Sequence, residues 1–254
     1  MKDNGRILAV GAHPDDVEFR CAGTLARLKA KGYRIFIATM TPGDCGTAEY
    51  SPEEIMRIRR SEAAAAAAVL GAEYLCLEER DLAIDYNTVT RRKVTGLLRH
   101  VDPFLIFTHP LEDYMMDHEI TGRLVRDACF GAAMPNFGSP GGEKHTEGIP
   151  YLYYWDPMGC TDYYGRPVAA DFLVDVSDTI EVKASMLACH ESQRNWLRRQ
   201  HGMDEYLESM RRAAAARGAE MGTAYAEGFR QHRAHPYPDE NVLARLLETG
   251  VRQR

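Results

Sequence analysis

A histidine, a proline and two adjacent carboxylates follow directly on a short apolar run near the start of the chain. The run Ile7–Ala12 leads into His13-Pro14-Asp15-Asp16. Pro14 has a fixed φ and biases His13 toward an extended backbone, so the turn can hold His13 and Asp16 in a set relation while Asp15 points elsewhere. An imidazole and a carboxylate at this spacing can bind zinc, and a third donor would leave one position open for water. The alternative is that the two aspartates simply cap a helix.

The best-placed third donor is His118, which follows a second apolar run. Phe104–Phe107 is predicted to be a strand, and Asp117-His118 opens a helical pattern a few residues later. Two strand ends that converge on one crevice would bring His13, Asp16 and His118 together. A helix cap or a surface group is the alternative interpretation of His118.

Apolar runs alternate with helical patterns through the first half of the chain. The predicted strands are Arg6–Ala12, Arg34–Met40, Tyr74–Leu77 and Phe104–Phe107, and the predicted helices are Ala22–Lys31, Pro52–Leu70 and Thr88–His100. This alternation predicts βαβ units and a parallel sheet. We therefore expect an α/β fold in which residues 1–254 form a single Rossmann-like domain, with a mostly parallel central sheet flanked by helices. In such sheets, ligands bind at the carboxyl ends of the strands.

The second half is less regular. Met134–Pro150 is rich in Pro, Gly, Ser and Asn, which predicts a long loop, and such a loop in a compact domain is often a lid or a binding loop. Tyr151–Trp155 and Asp171–Asp175 are predicted to be strands. A last helix is predicted over Asp239–Leu247.

The residues around the predicted metal site resemble the signature of the LmbE-like (PIG-L) zinc-dependent N-deacetylases, especially the bacillithiol-pathway subgroup. Ala12–Phe19 and Ala22-Gly23-Thr24 carry the signature. The likeness extends in order from about residue 6 to residue 230. Its further segments are Ile58–Glu62 before an alanine-rich stretch, Arg80–Leu82, Asp113–His118 and His190–Gln193.

The resemblance implies a single zinc ion per chain, with His13, Asp16 and His118 as its ligands. It also implies that Asp15 is the general base, which takes a proton from water and delivers it to the leaving amine. Asp117 would be a carboxylate that orients a ligand, with a plain helix N-cap as the alternative. The products would be a free amine and a small carboxylate, most simply acetate.

The resemblance also places Arg59 and Asp81 near the substrate, where a guanidinium and a carboxylate can bracket sugar hydroxyls. As bare sequence, both residues are more often found in surface salt bridges, which is the alternative interpretation. The active-site tyrosine of related sequences falls near Tyr206, to which we assign no role.

The chain departs from the family at Met115. The family commonly has His-Pro-Asp-His where this chain has Met115-Met116-Asp117-His118, and that first histidine is the group thought to stabilise the tetrahedral oxyanion. A thioether has no proton to donate, and removing an oxyanion donor typically costs about 2.7 to 4 kcal/mol. We predict that His109 supplies the missing donor, with His190 as the second candidate. A structural histidine bonded to backbone is the alternative for each.

Composition excludes several classes of protein. The 37 acidic residues exceed the 31 basic ones, which argues against a nucleic-acid-binding protein. No apolar run approaches the roughly 20 residues that span a bilayer, and no signal-peptide pattern opens the chain. The 6 cysteines are scattered without a Cys-x-x-Cys motif, which indicates reduced packing residues. These features predict a cytoplasmic protein that binds neither nucleic acid nor membrane.

Three functions remain open. The first is a zinc hydrolase that removes an acyl group from an amino sugar or a glycoside. The second, prompted by Met115, is a zinc lyase or hydratase acting on a small oxo-acid, and the third is a non-catalytic metal-binding oligomeric scaffold. A dehydrogenase is disfavoured because His13-Pro14-Asp15-Asp16 stands where a glycine-rich phosphate loop is needed. The smaller bacterial relatives indicate a homo-oligomer, with a hexamer as the candidate.

Overall fold

One sheet of eight strands runs through the described residues, 3–195 and 205–253, of the computed structural model. The strands are β1 (Arg6–Gly11), β2 (Arg34–Thr39), β3 (Glu73–Cys76), β4 (Leu105–Thr108), β5 (Tyr151–Trp155), β6 (Phe172–Asp175), β7 (Ala226–Gln231) and β8 (Val251–Gln253). Their order across the sheet is β3-β2-β1-β4-β5-β7-β6-β8. Strands β1 to β6 point one way, and β7 and β8 run against them. The predicted mostly parallel α/β fold is confirmed.

Helices cover both faces of this sheet. They are α1 (Asp16–Ala30), α2 (Pro52–Val69), α3 (Thr88–Val101), α4 (Met116–Ala132), α5 (Ile180–Ala188), α6 (Glu205–Met221) and α7 (Val242–Leu247). Helices α1, α2, α5 and α7 share one apolar core with the sheet, and α3 and α4 share the other. Helix α6 packs on α5 in a smaller cluster. No described helix is long and apolar enough to cross a membrane.

Strand β1 lies at the centre of the parallel half and is buried on both faces. Ile7 and Ala9 face the α1 core, whereas Leu8 and Val10 face the α3–α4 core. Successive side chains of a strand point to opposite faces, so a strand covered on both sides must be apolar throughout. This explains the continuous apolar run in the sequence.

Helix α1 begins earlier than the sequence predicts. It starts at Asp16 and not near Ala22, because Asp15 adopts a left-handed conformation with a φ of 101° and serves as the N-cap. A non-glycine residue in this region is uncommon, and aspartate is among those that tolerate it. The turn after β1 is therefore short, and the two aspartates lie directly at the strand end.

Two glycines allow the backbone to pack closely where the site will form. A Cβ on Gly122 of α4 would lie 2.6 Å from the carbonyl oxygen of His109, and a Cβ on Gly11 would lie 2.8 Å from the Cβ of Asp16. Both approaches are shorter than real Cβ atoms allow. These glycines bring α4 against the end of β4, and α1 against the end of β1.

The predicted loop Met134–Pro150 is present, but it does not lie over the predicted metal site. Arg99, near the end of α3, donates to the carbonyl oxygens of Ala132 and Met134. The loop then leads into the start of β5, which pairs with the start of β4. It therefore lies at the amino ends of the strands, on the edge of the sheet opposite the predicted site.

Candidate metal centre

The three predicted metal ligands meet at the carboxyl ends of β1 and β4. His13 lies in the turn after β1, Asp16 begins α1, and His118 lies in the first turn of α4. All three are buried, and one ligand atom from each lies within 4.8 Å of the others. Asp16 Oδ1 is 3.4 Å from His118 Nε2, and Asp16 Oδ2 is 3.6 Å from His13 Nδ1. Two imidazoles and one carboxylate converging in this way form a donor set that suits zinc.

Asp16 is held as a carboxylate. Burial alone would raise its pKa, but the neighbouring His118 and His109 imidazoles hold the pKa well below its usual value. The backbone N–H of His13 donates to Asp16 Oδ2 at 2.7 Å. The charged form is the one that binds a metal ion.

A cleft of about 270 Å³ opens over these residues. Its lining combines the three ligands with groups from the ends of β2, β3 and β4 and from the segment after α5. The lining residues are His13, Asp16, Cys45, Gly46, Arg59, Asp81, Leu82, Tyr114, Met115, His118 and Gln193. A small molecule bound there would lie directly over the predicted metal-binding atoms.

Asp113 lies beside His118, a position that the sequence analysis did not predict. Its Oδ1 is 3.4 Å from His118 Nδ1, on the side of the ring away from Asp16. The side chain is fully buried, and its other contacts include the backbone N–H of Tyr114. A metal-binding histidine usually donates its second N–H to a carboxylate, which fixes the ring and raises its basicity. That rule could have directed attention to the acidic residues just before His118.

We expect Asp113→Asn to weaken metal binding by about 10- to 100-fold. The substitution removes the carboxylate that faces His118 Nδ1 and nearly preserves the side-chain volume. Competition against a chelator measures the affinity. Asp127→Asn is a suitable control because Asp127 lies on α4 and pairs with Arg91 outside the cleft. Unchanged affinity in Asp113→Asn would show that Asp113 does not act on the ligand.

His13 is oriented by two carboxylates. Its Nε2 lies 3.0 Å from Asp81 Oδ1 and 3.3 Å from Asp117 Oδ2, which leaves Nδ1 directed toward Asp16. Burial would lower the pKa of His13, but the carboxylates of Asp117, Asp16 and Asp81 together raise it well above its usual value. Asp117 contacts His13, and its orienting role stays a prediction. The N-cap alternative is wrong, because Met115 occupies the N-cap and Asp117 is the second residue of α4.

Asp81 is placed differently from the sequence expectation. It was expected near substrate hydroxyls or on the surface, but the residue is only 9% exposed. One of its oxygens lies on His13, and the other accepts from the backbone N–H of Cys45. Asp81 therefore borders the cleft with both oxygens engaged, a geometry that favours orienting His13 over bracketing a sugar.

Arg59 is buried beside Asp15, so the surface alternative is wrong for it as well. Its Nη2 donates to the carbonyl oxygen of Pro14 at 2.9 Å and lies 3.6 Å from Asp15 Oδ2. The guanidinium fits because Gly43 and Gly46 have no side chains, and a Cβ on Gly43 would lie 2.4 Å from Nη1. Arg59 Nε is buried and has no partner among the described residues.

Asp15 lies in a nearly dry environment with two further contacts. Burial raises the pKa of its carboxyl group, and the Arg59 guanidinium opposes that rise. Tyr206, on α6, lies near this carboxyl group and acts to lower its pKa. A carboxylate whose pKa lies above the usual value is a better proton acceptor, as general-base catalysis requires.

The geometry does not support the predicted role of His109 as an oxyanion donor. The ring is fully buried and stacks on His118 with 4.0 Å between centroids. Its Nε2 lies 3.0 Å from Asp16 Oδ2 and accepts from the backbone N–H of Ala12. Burial lowers the pKa of His109 to about 4, so the ring is neutral. Within the described residues, His109 does not line the cleft, and its ring lies behind Asp16.

His190, the second candidate, is not among the described residues that line the cleft either. It is fully buried, and its Nε2 lies 3.6 Å from Glu18 Oε1. Burial would lower the pKa of His190, but the Glu18 carboxylate raises it. Neither ring nitrogen makes a hydrogen bond to a described residue.

Residues 8–129 match the family model described as "PIG-L: GlcNAc-PI de-N-acetylase". A diacetylchitobiose deacetylase from Thermococcus kodakarensis is 27% identical over 247 residues, covering 91% of this chain and 84% of the relative. A 4-oxalmesaconate hydratase from Pseudomonas putida is 27% identical over 196 residues, covering 73% of each protein. The solved N,N'-diacetylchitobiose deacetylase from Pyrococcus horikoshii has a TM-score of 0.76 at 26% identity, covering 94% of this chain and 88% of that structure.

Proposed function

Because the chain belongs to the PIG-L (LmbE-like) family, we propose that it is a zinc-dependent hydrolase. It removes an N-acyl group, most simply acetyl, from an amino sugar or a sugar conjugate. One observation carries the proposal: the three buried donors of His13, Asp16 and His118 form the floor of an open cleft, and Asp15 directly precedes Asp16 at the start of α1.

The donor set fits zinc on chemical grounds. Catalytic zinc sites have three protein ligands of this kind and keep a further position open, and here the cleft lies over that side. The buried carboxylates of Asp113, Asp81 and Asp117 stand behind the two imidazoles, as metal-binding histidines require. When bound, zinc supplies a Lewis acid that polarises the acyl oxygen and acidifies water.

Asp15 moves the proton during hydrolysis. It accepts a proton from the attacking water, whose oxygen forms a bond to the acyl carbon. As the bond between carbon and nitrogen breaks, Asp15 returns the proton to the leaving nitrogen. The products are a free amine and a carboxylate. Arg59, 3.6 Å from Asp15 Oδ2, holds the carboxylate in place.

The polar groups at the back of the cleft suit a hydroxylated substrate. Among the described residues, Arg59 Nε has no acceptor and Gln193 Oε1 has no donor, and both atoms are buried. A sugar hydroxyl can both donate and accept, so it can satisfy two such groups. A buried polar group that pairs only in the complex also rejects ligands without a hydroxyl.

We expect the zinc-loaded protein to release amine from at least one member of a panel of N-acetylated sugars. The panel contains N-acetylglucosamine, N,N'-diacetylchitobiose and an N-acetylglucosaminide with a polar aglycone. Free amine is measured by fluorescent labelling and acetate by a coupled assay, and the two products should appear in equal amounts. The chelated protein and the Asp15→Asn variant are the controls.

A hydratase acting on a small unsaturated oxo-acid is the second candidate. Met115 at the family's histidine position favours it, as does the likeness to a 4-oxalmesaconate hydratase. The two candidates separate in one experiment, since hydration of a conjugated acid removes its ultraviolet absorbance and releases no amine. Loss of absorbance without amine release from any sugar would replace the hydrolase proposal. Absence of both activities in metal-loaded protein would favour the non-catalytic scaffold.

A further inference from the structure

One wall of the cleft carries a methionine at the position where the family commonly has a histidine. Met115 lines this wall next to His118, and its thioether has no proton to donate. His109 lies behind Asp16, with its ring stacked on His118 and fully buried. The negative charge that develops on an acyl oxygen requires a donor aimed at the position it will occupy.

Tyr114 is the neighbouring group that carries a donor. It lines the cleft together with Met115, and its ring meets the ring of His118 edge-on with 5.3 Å between centroids. The residue is 65% exposed, so a substrate can reach its side chain from solvent. Burial and the carboxylates of Asp16 and Asp113 raise the pKa of Tyr114 to about 12. The phenol therefore borders the region in which the acyl group would react.

The backbone directs Tyr114 into this position. Its N–H donates to Asp113 Oδ1 at 2.7 Å, and Asp113 in turn faces His118. Met115 then forms the N-cap of α4. Tyr114, the residue before the N-cap, is thus hydrogen-bonded to Asp113. The same carboxylate faces the predicted metal ligand His118.

We propose that Tyr114 is a catalytic residue whose hydroxyl donates a hydrogen bond to the acyl oxygen of the substrate as the tetrahedral oxyanion forms. The inference rests on the proposed hydrolase function and deepens it. Water adds to the acyl carbon, the electron pair of the C=O bond moves to oxygen, and the phenol stabilises that oxygen without giving up its proton. The electron pair on that oxygen re-forms the C=O bond when the bond between carbon and nitrogen breaks. A tyrosine hydroxyl ordinarily has a pKa near 10 and remains a donor at neutral pH.

The test is Tyr114→Phe, which keeps the ring and removes only the hydroxyl. Because the ring is largely exposed, the variant should fold like the parent. We expect kcat and kcat/KM to fall together by about 10²- to 10³-fold, as for other lost oxyanion donors. Metal content should stay unchanged.

A binding measurement separates this role from a structural one. The methylphosphonamidate of glucosamine has a tetrahedral phosphorus with charged oxygens at the reacting position, whereas glucosamine, the product amine, has none. We expect Tyr114→Phe to weaken binding of the phosphonamidate by a factor similar to the loss in kcat/KM, and to leave glucosamine binding unchanged. Tyr86→Phe, at a half-exposed tyrosine outside the described cleft lining, should change neither. Adding Met115→His to Tyr114→Phe should partly restore the rate.

Three outcomes would overturn the inference. In an enzyme that deacetylates sugars, a change of less than about two-fold in kcat/KM means that the hydroxyl is not used. A rise in KM alone means that Tyr114 binds the ground state. Equal weakening of phosphonamidate and glucosamine means that the hydroxyl positions the sugar. Failure of the parent protein to release amine from any sugar is a separate result, which removes the proposed function itself.

Discussion

Asp15→Asn is expected to lower kcat by about 10³-fold, within the range for loss of a general acid or base, while metal stays bound. An amide cannot accept the proton of the attacking water. Asparagine tolerates the left-handed backbone that Asp15 adopts, so the turn after β1 and the start of α1 should be preserved. Steady-state rates and metal content of the same preparation measure the two effects separately.

Asp102→Asn is a closely matched control. Asp102 also has a left-handed backbone, with a φ of 47°, and also lies at a helix end. It pairs with Arg6 at the opposite edge of the sheet. The control should keep the parent rate. A near-normal rate in Asp15→Asn would reject Asp15 as the base, and loss of metal would reassign it to the metal centre.

His118→Ala should lose both metal and activity. It removes one of three protein ligands, so the metal affinity should fall by more than the 10- to 100-fold that is typical of residues behind a ligand. Elemental analysis after dialysis measures occupancy, and chelator competition measures affinity. The substitution also removes the stacking partner of His109. His118→Gln, which fills more of that space, should show the same loss of metal if the effect comes from the missing ligand.

His232→Ala is the control for deleting a packed imidazole. His232 contacts Tyr237 edge-on, with 4.3 Å between ring centroids, and lies 3.2 Å from the hydroxyl of Tyr154 through Nδ1. It lies outside the described cleft lining, so metal occupancy should be retained. Full occupancy with unchanged affinity in both His118 variants would remove His118 from the site.

The parallel half of the fold could be predicted because its strands are buried on both faces. β1 and β2 therefore appear in the sequence as short apolar runs, and the capping residues Ser51 and Glu54 mark the start of α2. β7 was not predicted because it contains Glu227 and Gln231. Glu227 is buried only because Lys183 and the backbone N–H of Gly23 and Thr24 satisfy it. Those partners are distant in sequence, so no local sequence pattern predicts β7.

For the candidate site, the sequence predicts which strand ends meet. Short-range spacing places His13 with Asp16, and the parallel sheet places β4 beside β1. Spacing and strand order do not predict the direction of a side chain at a strand end, because that direction depends on packing. His109 turns inward, where its Nε2 accepts from the backbone N–H of Ala12, and Asp81 turns toward His13. The homo-oligomer and the cytoplasmic location stay predictions.

Gly11 and Gly122 make the width of the metal centre depend on residues without a ligand atom. A methyl group on Gly122 would push α4, and His118 with it, away from the end of β4, and one on Gly11 would displace Asp16. Metal–ligand distances must hold to within about 0.2 Å, so either displacement would disturb them. A homologue that keeps all three ligands but has alanine at either position would thus bind metal poorly. The absence of a side chain at Gly11 and at Gly122 therefore determines the spacing of the ligands as much as the imidazoles themselves do.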